Sequence, residues 1–279
     1  VSAELPEGGE RFEGLLPPVV AAPAFAIRKP AVAVFTLDDY VAAGIMVPNQ
    51  AAALRAAVVS RANILVAGGT STGKTTLTNA LLAEVAKGVT HIALTHGHSD
   101  HVGDTLDIAR QTDARVIGNF ELANWLAAKG VANVEPGNTG GTLRFDDFSV
   151  TFTQAFHSSG NVEEDGQVTY LGMPNGLVFH FSDGPSIYHM GDTDIFGDMA
   201  LIQELHHPQI GLVPIGDRFT MGAAVAALAC RRYFAFQKIV PIHWGTFPPL
   251  DQGTERFEEA MDEDASRVVK PRIGVPFEV

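Results

Sequence analysis

Three histidines and one aspartate fall within six consecutive positions of this chain, as His96, His98, Asp100 and His101. They directly follow an apolar run at residues 92–95 that is typical of a β-strand. Imidazole and carboxylate groups are ligands for zinc, iron and manganese, and two ions bound side by side need a ligand density of this kind. A short loop that leaves the strand could direct His96 and His98 to one ion, and Asp100 and His101 to its neighbour.

Three further residues of ligand type, His157, Asp192 and His243, stand near the ends of other strand-like segments. Those segments are residues 148–153, 186–188 and 238–242. Strand ends are where a rigid scaffold presents functional groups. A single His in such a place is more often structural than functional. Several ligand-type residues at successive strand ends, however, indicate a shared metal site.

Residues 89–279 resemble the metallo-β-lactamase superfamily, and within it a group of small bacterial metal-dependent hydrolases. The matching stretches occur in the family's order and extend over about two thirds of the chain. They are residues 94–104, 119–125, 155–159, 188–193, 214–222 and 243–247. The resemblance implies an α/β fold, an αββα sandwich in which two packed β-sheets carry helices on their outer faces.

The same resemblance implies a division of the seven ligands between two divalent metal ions. The first ion would be held by His96, His98 and His157, the second by Asp100, His101 and His243, and both by a bridging Asp192. Zinc is the expected metal, with manganese or iron as alternatives, because the donor types do not distinguish them.

The implied activity is hydrolysis by a metal-bridged hydroxide that cleaves an ester, lactone or phosphoester, including phosphodiesters and phosphotriesters. Asp192 would set the spacing of the ions at roughly 3.5–4 Å, as two-metal hydrolysis requires. Asp100 would orient the hydroxide or move a proton to the leaving group, so Asp100 and Asp192 are the expected catalytic residues. A small molecule is the expected substrate, although the superfamily shares this site across many substrates and the sequence does not identify one.

A second motif, GGTSTGKT at residues 68–75, lies between a strand-like segment (63–67) and a helical pattern (76–86). This is a complete phosphate-binding loop in its required strand–loop–helix context. Its backbone N–H groups and the helix N-terminus would hold phosphates, with Lys74 pairing with them and Thr75 contacting Mg²⁺. Alone, the motif predicts nucleotide binding.

Residues 11–19, 25–30 and 36–40 resemble the N-terminal part of conjugal-transfer (type IV secretion) ATPases, and that resemblance ends near Lys87. The Mg²⁺-positioning acidic strand of such enzymes does not follow, which disfavours ATP hydrolysis. The metallohydrolase segment in turn lacks the opening strands of its relatives. We therefore predict a gene fusion in which residues 1–87 replace the opening of the fold and residues 88–279 form the hydrolase, merged into one fold.

Three functions remain open from the sequence: the metal-dependent hydrolase, a nucleotide-binding remnant of a conjugal-transfer ATPase, and an inactive fusion relic. The fusion restores only part of the missing sheet, and an uncovered sheet edge or apolar face favours association. We therefore expect a homodimer in which residues 1–60 help to cover the gap.

Composition limits the partners and the compartment. The 279 residues carry a net charge of −13, which argues against nucleic-acid and anionic-membrane partners. The single cysteine, Cys230, cannot form an internal disulfide, no apolar run is long enough to span a bilayer, and the start lacks a signal-peptide pattern. These features favour the cytoplasm.

Periodicity predicts alternating helices and strands in the remainder of the chain. Hairpins are expected at 142–153 and 176–188, and helices at 48–62, 104–112, 119–128, 198–206, 222–234 and 254–264. His189 is a candidate for supporting the site or for a structural role, and Asp217 with Arg218 for shaping a loop. Trp125 and Trp244 could line the pocket, although aromatic residues more often pack in the core.

Overall fold

The computed structural model describes residues 2–4, 11–15, 24–28, 35–59, 77, 80, 81, 84, 89–163 and 166–271. The phosphate-loop motif at 68–75 and the predicted strand at 63–67 lie outside these residues. The chain divides into two compact units, Val1–Lys87 and Gly88–Val279.

The first unit contains a three-stranded antiparallel sheet and a small helical core. Strands β1 (Ser2–Glu4), β2 (Arg11–Leu15) and β3 (Ala24–Arg28) pair in that order. Helix α1 (Leu37–Ala42) was not predicted, and α2 (Pro48–Val59) confirms the helix expected at 48–62. Leu77, Ala80, Leu81 and Glu84 are helical, within the helix predicted at 76–86.

Helix α1 begins with a capping box that the sequence carries in residues 36–39. The Thr36 hydroxyl accepts a hydrogen bond from the Asp39 backbone N–H at 3.2 Å, and the Asp39 carboxylate accepts one from the Thr36 N–H at 2.8 Å. Leu37 is fully buried and packs with Ala51, Ala80 and Leu81. A six-residue helix is therefore fixed by its cap and one core residue.

Two sheets form the layers of the second unit, a small one with three strands and a large one with six. In the small sheet the strands are parallel and have the order β4-β5-β6, and in the large sheet they have the order β14-β13-β12-β11-β8-β7. The small sheet consists of β4 (His91–Ala93), β5 (Arg115–Asn119) and β6 (Val134–Gly137). The large sheet consists of β7 (Thr142–Arg144), β8 (Phe148–Gln154), β11 (Asn175–Phe181), β12 (Ile187–His189), β13 (Ile210–Pro214) and β14 (Lys238–Ile242).

Strand directions in the large sheet bring several strand ends to one edge. β12, β13 and β14 are parallel, whereas β11 is antiparallel to both β12 and β8. Strands β8, β12 and β14 therefore run in the same direction, and the loops that follow them leave the sheet at the same edge. In α/β proteins that edge is the usual location of a ligand site.

The two predicted hairpins are confirmed. β7 pairs with β8 around a turn at residues 145–147, and β11 pairs with β12 around residues 182–186. A further short hairpin, β9 (Gly160–Val162) with β10 (Val168–Tyr170), was not predicted. Its strands have only three residues each, too few for alternation to show in the sequence.

Five predicted helices of this unit are present with small shifts at their ends. They are α4 (Thr105–Thr112), α5 (Phe120–Ala128), α6 (Met199–His206), α7 (Ala223–Tyr233) and α8 (Glu255–Met261). The last was expected to continue to residue 264, but Asp262 takes a φ of 55° and a 3₁₀ helix, Asp262–Arg267, follows. One extra turn, α3 (Ser99–Val102), lies inside the His-rich loop.

Three apolar clusters of this unit define its layers. Val116 on β5 packs with Leu122 and Leu126 of α5, whereas its neighbour Ile117 packs with Phe152 and other residues of the large sheet. Successive side chains of a strand point to opposite faces, so β5 faces helices on one side and the second sheet on the other.

The outer face of the large sheet is covered in turn by helices α6, α7 and α8. Tyr188 and Ile239 of the sheet belong to one buried cluster with Met199, Cys230 and Phe257 of those helices. The layers are thus helix, sheet, sheet, helix, which confirms the predicted α/β sandwich. No helix among the described residues has the length and apolar character needed to cross a membrane.

Candidate metal centre

The His-rich loop leaves the small sheet as β4 ends. His96 is completely buried, and His98 is the N-cap residue of α3, so Asp100 and His101 lie on the first turn of that helix. Residues that are close in a helical turn present their side chains from different sides of the axis. The four residues His96, His98, Asp100 and His101, although close in sequence, can therefore direct their side chains toward more than one point.

A first group of three imidazoles converges beside this turn. His96 Nε2 lies 2.9 Å from His98 Nδ1, and His157 Nε2 lies 3.3 Å from the same atom. Thr95 Oγ1 lies 3.0 Å from His96 Nδ1, and Ser158 Oγ lies 3.3 Å from His98 Nε2. The two hydroxyl groups therefore contact the nitrogens that face away from the group, which fixes the ring orientations.

A second group consists of Asp100, His101 and His243, whose donor atoms lie within 4.8 Å of one another. Asp100 Oδ2 is 3.6 Å from His101 Nε2 and 3.9 Å from His243 Nε2. His243 follows β14 directly and takes a left-handed φ of 56°. A non-glycine residue in that region is strained and is often found at functional sites.

Asp192 lies between the two groups and is only 3% exposed. Its Oδ1 is 3.3 Å from His101 Nε2, while its Oδ2 is 3.1 Å from His243 Nε2 and 3.6 Å from His157 Nε2. The loop that carries it is tied to the His157 loop, because the Phe156 N–H donates to Thr193 Oγ1 at 2.9 Å. The structure thus brings all seven predicted residues together.

Two glycines make this approach of loops possible. Gly191 has a φ of +65° and lies so close to β11 that a Cβ would be 2.7 Å from the Asn175 carbonyl oxygen. At Gly216, a Cβ would overlap the carbonyl oxygen of His243. Each glycine therefore leaves room for the backbone that positions a ligand-type residue.

The electrostatics keep the imidazoles of the first group neutral. Burial lowers the pKa of His96 to about 2, and burial also lowers the pKa of His98 and of His157. Burial by itself would raise the pKa of Asp192, but His101 and His243 outweigh it and hold that pKa below its usual range. His243 has a raised pKa because it contacts Asp192.

This donor set fits divalent metal ions. Metal binding requires neutral imidazoles and an ionised carboxylate. The lowered pKa values of the first group and of Asp192 favour these states, whereas the raised pKa of His243 favours its protonated form. Lone pairs from three neutral rings pointing at one place repel each other unless a cation lies among them. Asp192 Oδ1 is buried and accepts no well-aligned hydrogen bond from the described residues, as expected for an oxygen intended for a metal.

A cleft of about 470 Å³ opens onto the centre. Its lining includes metal-ligand candidates together with Phe219 and Phe247. The two tryptophans do not line it. Trp244 packs against the core and donates to the Pro241 carbonyl at 3.0 Å. Trp125, which lies on α5, packs against the cluster that contains Val116 and donates to Glu163 at 2.8 Å. Their role is packing.

Several residues that support the centre were not found by sequence reasoning. Thr95 and Ser158 each adjoin a predicted ligand, and a hydroxyl residue next to a ligand His is the only signal that could have found them.

His189 Nδ1 accepts a hydrogen bond from the Gly191 N–H at 3.0 Å, and burial lowers its pKa to about 4, which fits a structural role. Asp217 and Arg218 both have positive φ, and the Asp217 carboxylate accepts from the Arg218 N–H at 2.7 Å, so they shape a loop.

Comparison with protein families gives two matches. The model of the β-lactamase superfamily domain matches residues 62–244, which is more than half of the chain. A model of type II/IV secretion system proteins matches residues 11–110, and so overlaps the first match at residues 62–110.

Individual relatives agree with the first match. A UPF0173 metal-dependent hydrolase of Agrobacterium fabrum is 62% identical over 189 residues, which cover 68% of this chain and 81% of the relative. One from Brucella abortus is 58% identical over 192 residues, covering 68% and 81%. The solved structure of a metallo hydrolase from the archaeon Ignicoccus hospitalis superposes with a TM-score of 0.59 at 32% identity, over 68% of this chain and 80% of that one.

The fold extends to more distant proteins. A metallo-β-lactamase-fold protein of Bacillus subtilis superposes with a TM-score of 0.52 at 12% identity, over 70% of this chain and 80% of that one, and thus shares the fold. Together with the clustered metal-ligand side chains, these matches show that the chain belongs to the metallo-β-lactamase superfamily and is a metal-dependent hydrolase of the UPF0173 family.

Proposed function

We propose that this enzyme uses two divalent metal ions to cleave an ester, lactone or phosphoester bond of a small molecule, with zinc as the expected metal. One observation carries the proposal: two three-residue groups of donors share a buried carboxylate, Asp192, that is within 3.6 Å of a ring nitrogen from each group. In this assignment the first ion is held by His96, His98 and His157, and the second by Asp100, His101 and His243.

Two bound ions would supply an activated water and would polarise the scissile bond. The chain's own residues supply position and proton transfer. Asp192 is buried between the groups, and its carboxylate would help to hold both ions. Asp100 lies at the more open side, with about a third of its side chain exposed, and lines the cleft. It is therefore placed to take a proton from the attacking water and to deliver it to the leaving group.

The test is metal content together with turnover. Purified protein is loaded with zinc, desalted and analysed by mass spectrometry for metal per chain, then assayed on a panel of chromogenic esters, lactones and phosphodiesters. We expect two ions per chain for the wild type, and at most one, with no turnover, for Asp192→Ala and His98→Ala. His207→Asn is the matched control, because His207 is exposed, remote and left-handed at φ 44°, a conformation that Asn tolerates.

The match to type II/IV secretion proteins favours a second candidate, nucleotide binding at residues 68–75. We propose that these residues are a fragment of a secretion ATPase joined to the hydrolase by gene fusion. Lys74→Ala separates the two functions, since Lys74 is the phosphate-pairing residue of the motif. Loss of turnover in Lys74→Ala with normal turnover in His98→Ala would refute the hydrolase assignment.

A further inference from the structure

Phe219 and Phe247 are large apolar side chains that remain 53% and 43% exposed, and both line the cleft above the metal-ligand cluster. Neither belongs to the buried clusters that hold the fold together. Exposed aromatic side chains next to a site are a feature of ligand recognition, because a ligand removes them from water.

The two phenylalanines are held in place by a shared backbone network. The Asp251 N–H donates to the Gly216 carbonyl at 2.9 Å, and the Gly245 N–H donates to the Asp251 carbonyl at 2.9 Å. The loop of Phe219 and the loop of Phe247 are thus joined through Asp251. A ligand that binds between two positioned rings loses less free energy to ordering of the protein than one that binds between mobile rings.

Each loop is also fixed within itself. Gly216 forms an isolated β-bridge with Gly222, and the Asp217 N–H donates to the Met221 carbonyl at 3.1 Å. The Phe247 carbonyl accepts from the Leu250 N–H at 3.1 Å and from the Gln252 side chain at 2.9 Å. These bonds hold the backbone of the two loops that carry the rings.

The side chains of the cleft offer a ligand no cation. Among the described residues that line it, none is Lys or Arg, and the two carboxylates, Asp100 and Asp192, are metal-ligand candidates. Arg218 lies nearby, with its guanidinium carbon 5.5 Å from the centroid of the Phe219 ring, but it is not among the lining residues. A charged group of a ligand would therefore depend on the proposed metal ions for its counter-charge, whereas an apolar group can be bound by the two phenylalanines.

We propose that Phe219 and Phe247 form an aromatic clamp, and that the clamp makes the enzyme selective for carboxylic esters or lactones that carry an apolar chain or ring. The inference rests on the proposed hydrolase function and narrows its substrate class. In the reaction, water adds to the carbonyl carbon, the bond from that carbon to the leaving oxygen breaks, and the leaving oxygen takes a proton. The apolar group lies between the rings while this occurs.

The first test is binding without turnover. N-phenylhexanamide, an uncharged amide that resembles a phenyl ester, is titrated into metal-free protein and followed by ligand-observed NMR. We expect Phe219→Ala and Phe247→Ala each to weaken binding about tenfold, as loss of a partly buried phenyl group implies. Phe120→Ala is the matched control, because Phe120 is 56% exposed and does not line the cleft; it should bind as the wild type does.

The second test uses the zinc-loaded enzyme on 4-nitrophenyl hexanoate, 4-nitrophenyl acetate and bis(4-nitrophenyl) phosphate. Phe247→Ala should raise KM for the hexanoate about tenfold and KM for the acetate less, because the acetate has only a methyl group in place of the apolar chain. Phe120→Ala should leave both reactions as they are in the wild type. Unchanged amide binding in both clamp variants, no detectable binding by the wild type at millimolar concentration, or a preference for the phosphate that Arg218→Ala abolishes would overturn the clamp. Failure of the metal-site proposal is distinguishable, because it would remove turnover and leave amide binding intact.

Discussion

Thr95→Val is the substitution that most directly tests how the metal centre is oriented. Thr95 Oγ1 lies 3.0 Å from His96 Nδ1, and both residues are buried. If His96 binds a metal through Nε2, its Nδ1 carries the proton and donates it to the threonine hydroxyl. Valine has nearly the shape of threonine but accepts no hydrogen bond, so the substitution removes this one interaction and little else.

The expected magnitude follows from burial. A buried N–H that loses its acceptor costs about 1–3 kcal/mol, and a ligand histidine that loses its outer partner typically costs about 10–100-fold in metal affinity. We therefore expect Thr95→Val to weaken zinc binding by about tenfold or more. Ser158→Ala makes the comparison, because Ser158 contacts His98 Nε2 at 3.3 Å but is exposed. Water can replace its hydroxyl, and the loss should stay within a few-fold.

The assay is competition for zinc between each variant and a chromogenic chelator at fixed pH, with the thermal unfolding midpoint measured on the metal-free proteins. Equal zinc affinity in Thr95→Val and the wild type would refute the assigned orientation of His96. A larger loss in Ser158→Ala than in Thr95→Val would refute the argument from burial. A fall in the metal-free unfolding midpoint beyond the ~2–4 °C that each 1 kcal/mol produces in a domain of roughly 150–250 residues would indicate general disruption instead.

Three further predictions concern other parts of the chain. Gly216→Ala should displace His243 and reduce bound zinc from two ions to one per chain, whereas Gly197→Ala, where a Cβ meets nothing within 4 Å, should retain both; equal metal content in the two variants would contradict this. Cys230 should resist iodoacetamide at pH 8 until the protein unfolds, because burial raises the pKa of its thiol to about 12; rapid labelling of the native protein, followed by mass spectrometry, would show that the core cluster opens. We also propose that the chain is a homodimer through residues 1–60, which light scattering coupled to size-exclusion chromatography tests; a stable monomer at micromolar concentration would refute it.

Local sequence patterns predicted most of the secondary structure of residues 89–271. The hairpins β7–β8 and β11–β12 have apolar alternation and polar turns, and helices such as α4 and α7 have a clear apolar face. Two elements were not predicted, and both are short. Helix α1 depends on the capping box of Thr36 and Asp39, and the hairpin β9–β10 has three residues per strand. Such elements carry too few residues for periodicity to reveal them.

For the candidate centre too, the sequence predicted some features and not others. The types and order of His96, His98, Asp100 and His101 are local information, and the strand-to-loop positions of the remaining candidates are local too, so the sequence alone predicted which residues the structure brings together. The partners Thr95 and Ser158 were invisible as such, because a hydroxyl residue beside a histidine is common and gains meaning only when its oxygen is known to face a ring nitrogen. The same limit applied to the cleft. The sequence suggested Trp244 as an aromatic residue of its lining, whereas in the structure Phe247 lines it.

By itself, then, the sequence determined which donors this protein carries: imidazoles and carboxylates at strand ends, in the order of a metal-dependent hydrolase. Only the tertiary structure decided the geometry, namely that β8, β12 and β14 end at one edge, that Asp192 lies between the two donor groups, and that two phenylalanines line the same cleft. The physical reason is that residue type and local pattern act over a few positions, whereas a contact such as that of Asp100 with His243 joins residues far apart in the sequence and is fixed by the packing of two sheets.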